Sequence, residues 1–120
     1  MASLIYLEGI ARRHKSEGIV GYQSECFGLR YNADGDKWWY RFGCLHRDND
    51  CPAIESRSGK WESYEDGKLC ISQRMPYKAW YDSGELHRVG GPAIEYIDGT
   101  KEWYLKGIQY TEVEYNRVHA

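Results

Sequence analysis

Apolar and polar residues alternate with a period of two over short stretches, and tight-turn pairs separate those stretches. Ala93-Ile94-Glu95-Tyr96-Ile97 is rich in β-formers and runs directly into Asp98-Gly99, a strong hairpin signal. Lys101-Glu102-Trp103-Tyr104-Leu105 reads as the returning strand, closed by Lys106-Gly107. Each strand is near the usual length of about 5–6 residues. Neighbouring residues in a strand face opposite ways, so Trp103 and Tyr104 take different faces, as do Trp39 and Tyr40. One aromatic face then packs inward, and the other lines a groove or partner surface. Pro52 and Pro92 lack an amide hydrogen and belong at strand starts or on an edge. The pattern changes at Thr111-Glu112-Val113-Glu114, where a threonine and a glutamate three residues on form a capping box. A short C-terminal helix over 111–119 is predicted to blunt the open edge of the last strand.

The pattern repeats. Tyr40-x-x-Gly43-x-Leu45-His46-Arg47 matches Tyr81-x-x-Gly84-x-Leu86-His87-Arg88 at an offset of 41. Pro52-Ala53-Ile54-Glu55 matches Pro92-Ala93-Ile94-Glu95 at an offset of 40, one residue having been gained in Asp48-Asn49-Asp50-Cys51. The phrase Trp-Tyr-x-x-Gly opens at Trp39, Trp80 and Trp103. A degraded copy precedes these, with Tyr6-Leu7-Glu8-Gly9-Ile10 resembling Tyr104-Leu105-Lys106-Gly107-Ile108. The division expected is a degraded unit at 5–34, a unit at 35–67, an irregular connector at 68–76, a unit at 77–110, then the helix. A lone hairpin is marginal in water, so the copies must stack to make a core.

The phrase Trp-Tyr-x-x-Gly-x-Leu-His-Arg, followed by Gly-Pro-Ala-Ile-Glu-Tyr-x-Asp-Gly-Thr-Lys-Glu-Trp-Tyr, resembles the MORN-like repeats of small tailed-phage and giant-virus proteins. The resemblance covers Gly35 to Gly67 and Pro76 to Asn116, and departs at Cys51 and Ser63. It implies an all-β fold, an elongated sheet of consecutive antiparallel hairpins, and a role in interaction rather than catalysis. Such a family offers no shared catalytic residues to carry over. For a small phage accessory protein, it further implies a host protein as partner, for example one of an antiviral defence such as CRISPR-Cas.

Composition narrows the function classes. Net charge is −2 with both signs interspersed, which argues against direct nucleic-acid binding by electrostatics. No run approaches the roughly 20 apolar residues of a membrane span. Glu8, Arg12 and Arg13 come too early for a signal peptide, so a cytoplasmic location is expected. Cys26, Cys44, Cys51 and Cys70 are then expected as thiols. No cofactor is expected, and no phosphate loop, nucleophile elbow or zinc-protease motif occurs.

Candidate contacts follow from departures within the repeat. Trp38 and Phe42 stand where later copies have Ala79 or Glu102 and Ser83 or Lys106, and Trp61 stands where Lys101 does. Large apolar groups at otherwise polar repeat positions, with Arg41 beside them, suit a private protein interface. They suit equally a repacking around the irregular segments. His46-Arg47 and His87-Arg88 recur at equivalent places and are included among the protein-binding candidates. Their plainer role is to bond the turn backbone and cover an aromatic ring. Cys44, His46 and Cys51 are zinc-capable, but Glu85 and Gly91 at the matching positions are not a ligand set. A rival to protein binding is a nucleotide sponge, with aromatic rings stacking a base and Arg47 or Arg88 meeting phosphate. A self-assembling scaffold is a third reading, and an open sheet edge makes a homodimer possible.

Overall fold

Four Xaa-Gly pairs set the hairpins. Phe42-Gly43, Asp66-Gly67, Ser83-Gly84 and Lys106-Gly107 have positive φ at both positions, the type I′ geometry whose twist matches that of paired strands. In a computed structural model, which describes residues 17–20 and 27–119, the strands are β1 (Glu17–Val20), β2 (Phe27–Asn32), β3 (Lys37–Arg41), β4 (Cys44–Leu45), β5 (Ile54–Ser56), β6 (Lys60–Glu65), β7 (Lys68–Gln73), β8 (Tyr77–Ala79), β9 (Tyr81–Asp82), β10 (Glu85–Leu86), β11 (Ile94–Tyr96), β12 (Lys101–Leu105) and β13 (Ile108–Tyr110). A short helix, α1 (Glu112–His119), follows. The degraded copy expected at 5–34 lies largely outside the described residues.

The main sheet runs β1-β2-β3-β5-β8-β11-β12-β13, with every pairing antiparallel. The all-β, hairpin-by-hairpin architecture and the short C-terminal helix are thus as the period-two pattern predicts. The molecule measures 47 × 30 × 29 Å. Among the described residues no helix is long and apolar enough to cross a membrane.

Register sorts side chains between the two faces. Arg30, Trp38, Ile54, Ala79, Ile94 and Glu102 stand in one row. The face this row belongs to carries the core of Trp38, Ile54, Tyr77, Ala79 and Ile94, flanked by Tyr40, Trp61, Tyr81, Tyr96 and Tyr104. One residue along, Lys37, Glu55, Lys78, Glu95 and Lys101 form a row on the other face. Alternating charges directly opposite one another favour this register over a slip by one residue, which would bury them.

The tertiary arrangement departs from the expected units at one place. In sequence β6 matches β12, and β12 pairs with β11 inside the sheet. Yet the place beside β5 is taken by β8, and among the described residues β6 pairs only with β7. Residues 68–73, expected within an irregular connector, are the second strand of a six-pair hairpin. Trp39, Trp80 and Trp103 are the spatially equivalent residues. The β6–β7 ribbon is an insert between the first two.

Asp36 turns the chain into this ribbon. Its carboxylate is fully buried and accepts from the Arg57 amide at 2.8 Å, the Ser58 amide at 2.9 Å and the Ser58 hydroxyl at 2.6 Å. Asn32 Nδ2 donates to its second oxygen at 3.1 Å. At the ribbon's base, Arg74 N donates to Gly59 O at 2.8 Å. Gly59 has φ +81°, and a Cβ there would meet Arg74 O at 2.0 Å, so only glycine fits.

Candidate protein-binding surface

The repeated His-Arg pairs stitch one unit to the next. Leu45 O accepts from Gly84 N at 2.9 Å, and His46 Nδ1 accepts from Ser83 N at 3.2 Å. The following unit does the same: Leu86 O accepts from Gly107 N at 2.8 Å, and His87 Nδ1 accepts from Lys106 N at 2.9 Å. Each histidine therefore holds the type I′ turn of the next hairpin. His46 is 8% exposed, and its Nε2 faces Asp48 Oδ1 at 2.7 Å. Its Nδ1 also lies 3.1 Å from Asp82 Oδ1. Both ring nitrogens are thus occupied by protein groups.

The arginines repeat with equal fidelity. Arg47 lies over Trp39 at 3.7 Å and Arg88 over Trp80 at 3.7 Å. Arg47 Nη1 donates to Pro52 O and Glu55 Oε2; Arg88 Nη1 donates to Pro92 O and Glu95 Oε2. Arg88 also takes Asp50 through Nε and Nη2, at 2.9 and 3.2 Å. Burial alone would pull this guanidinium down, but the bonds to Asp50 and Glu95 outweigh it and raise its pKa. Trp103, the third tryptophan of the row, is covered instead by Tyr115 of α1, with ring centroids 4.8 Å apart. The second aromatic face, expected to line a groove, is therefore roofed by the protein's own side chains.

Trp38 is 4% exposed, in the core beneath Arg30, whose guanidinium lies 3.9 Å from its ring. Of the two readings open for Trp38, repacking is the one its position matches, and it offers a partner no surface. Trp61 is half-buried against Tyr77, with centroids 5.2 Å apart, and Arg74 lies 4.0 Å over its ring. Here too the extra ring fills space at the insert. Phe42 is 65% exposed at a turn tip, with Arg41 at 5.9 Å from its ring. The eight candidates do not converge on one site: His46, Arg47, His87 and Arg88 line one depression, while Phe42 stands exposed at its turn tip with a half-buried Arg41 beside it.

An exposed surface that sequence reasoning missed lies on the ribbon. Tyr64 is 73% exposed, Leu69 49% and Ile71 57%. Tyr64 is the register partner of Leu69, and Glu62 of Ile71, so all three apolar side chains share one face. Glu62 is anchored to Arg30 by paired bonds of 2.9 and 3.0 Å, which fixes the ribbon against β2. The signal was present: Asp66-Gly67 between two alternating runs is a hairpin cue. Assigning 68–76 to a connector concealed it.

No family model, no curated protein and no solved structure matches the chain. What the geometry defines is an open antiparallel sheet of stacked hairpins, with one projecting two-stranded ribbon.

Proposed function

We propose that this chain is a non-enzymatic protein-binding module of MORN-like hairpin units, acting by covering a surface of its partner. The observation that carries this reading is the apolar face of Tyr64, Leu69 and Ile71 on a ribbon tied at its base by the Arg74–Gly59 bond and along β6 by Glu62 to Arg30. Exposed apolar patches of this kind mark interaction sites. Phe42 and Arg41 at the turn tip are the second contact. The sequence resemblance extends the reading to a small phage accessory protein whose partner is a host protein, for example a defence component.

The nucleotide-sponge reading has less support. Arg47 and Arg88 already face carboxylates, so a phosphate would have to displace Glu55, Asp50 or Glu95. The tryptophan faces that a base would need are covered.

Affinity capture with the tagged chain tests the proposal, comparing wild type with the Tyr64→Ser/Ile71→Ser double variant and with Phe42→Ser. The expected result is a discrete partner protein lost from the double variant while its unfolding temperature is unchanged. A partner retained at full strength by both variants refutes the surface assignment. Stabilisation by a nucleotide in a thermal-shift panel would favour the sponge, since a ligand of the folded state raises stability by mass action.

A further inference from the structure

The two strands of the ribbon have unlike outer edges. Glu65 and Lys68 flank the two-residue turn and are register partners. In such a hairpin the flanking residues exchange both backbone bonds, and bonded and unbonded pairs alternate from there. The Arg74 N to Gly59 O bond obeys the same parity. The backbone groups of Leu69, Ile71 and Gln73 therefore point away from β6. On the β6 side, Lys60 O accepts from the Tyr77 hydroxyl at 2.8 Å, which seats that strand against the sheet. Among the described residues β7 pairs with β6 alone. From 69 to 73 it has no proline, no charge and no bulge, the devices that ordinarily blunt an edge.

We infer that β7 pairs antiparallel with β7 of a second copy across a two-fold axis at Cys70, making a four-stranded ribbon in the order β6-β7-β7-β6. Backbone parity lets only Leu69, Ile71 and Gln73 exchange bonds, and an axis at Ser72 or Gln73 would overlap three residues of β7 or fewer, which leaves Leu69, Cys70 or Ile71. An axis at Ile71 would set Lys68 opposite Arg74 of the second copy, twice, a like-charge pairing that destabilises. An axis at Leu69 would leave Ile71 opposite a turn glycine. The axis at Cys70 sets Leu69 opposite Ile71 twice and Lys68 opposite Ser72, with no like charges meeting. It also leaves the Tyr64–Leu69–Ile71 face open and doubles it, so the pairing rests on, and deepens, the protein-binding reading. A strand pair this short buries less than a standard interface, so the association is concentration-dependent.

The two Cys70 residues would form an unbonded pair, with Cα atoms about 4.5 Å apart, within disulfide reach. A Cys26→Ser/Cys44→Ser/Cys51→Ser variant keeps Cys70 as the sole thiol. Diamide then takes up the two thiol hydrogens as the sulfur–sulfur bond forms. The expected result is a covalent dimer whose yield rises with protein concentration. Light scattering of the untreated chain should show a mass climbing from 14.0 kDa toward twice that value. Ile71→Pro removes an outward amide and no bond within the ribbon. It should weaken association by about tenfold or more, and Ile71→Lys should do so without a proline's backbone demands. A constant monomer mass with no Cys70 cross-link, or a dimer that both Ile71 variants leave intact, overturns the pairing. A monomer that still loses its captured partner on Tyr64→Ser defeats the pairing and leaves the protein-binding face standing.

Discussion

Replacing Asp36 by alanine tests whether one buried carboxylate directs the ribbon out of the sheet. Asp36 is fully buried and accepts from two backbone amides, two serine hydroxyls and Asn32. Bonds to a charged acceptor contribute about 1.5–3 kcal/mol each, and an orphaned buried donor costs a similar amount. Arg57 is exposed, so water can replace part of the loss there. A net destabilisation of about 3–5 kcal/mol is expected, a large share of a typical domain's 5–15 kcal/mol. Burial by itself pushes the Asp36 carboxyl up, but the Ser58 hydroxyl and amide, Asn32 and the Arg57 amide outweigh it and hold the carboxyl below its ordinary value. A depressed native pKa contributes stability that is full above the unfolded value of about 3.9 and is lost as pH falls through the native value. Guanidinium unfolding at pH 7 and near pH 3, followed by tryptophan fluorescence, reads the loss for Asp36→Ala and its decline in acid. Amide exchange should show residues 60–73 opening first. A loss under about 1 kcal/mol at pH 7, or an equal loss at both pH values, refutes the reasoning.

Gly59→Ala should destabilise by more than the about 1 kcal/mol of an ordinary glycine replacement, because its Cβ would enter the Arg74 carbonyl; denaturant midpoints check this. Tyr115→Phe removes a donor to Arg88 O at 2.6 Å and an acceptor of Gly90 N at 2.9 Å, costing about 1–2 kcal/mol. Amide exchange in α1 should rise with it. Trp38→Ala should cost about 3–5 kcal/mol as a core truncation. Partner binding measured well below its lowered unfolding temperature should be unchanged; a selective loss of binding would return Trp38 to the interface.

Much of the local structure was legible because it is encoded within a few residues. The Xaa-Gly turns, the alternation of Trp39 with Tyr40, and the Thr111–Glu114 capping box, realised at 2.9 and 3.1 Å, each need only neighbours in the chain. The plainer role of the His-Arg pairs was legible too, since side chains that recur in every unit serve contacts that recur. The actual partner was not: His46 bonds the turn of the following unit, 37 residues on, rather than its own.

What the sequence by itself determined is the strand alternation, the turns and the forty-residue echo between units, all properties of near neighbours. Only the tertiary structure decided that β8, not β6, lies beside β5, and so which hairpin stands apart. The two arrangements satisfy the same local alternation. The choice between them rests on non-local bonds, the Asp36 carboxylate on the Arg57-Ser58 turn and Glu62 on Arg30, that no stretch of sequence contains by itself.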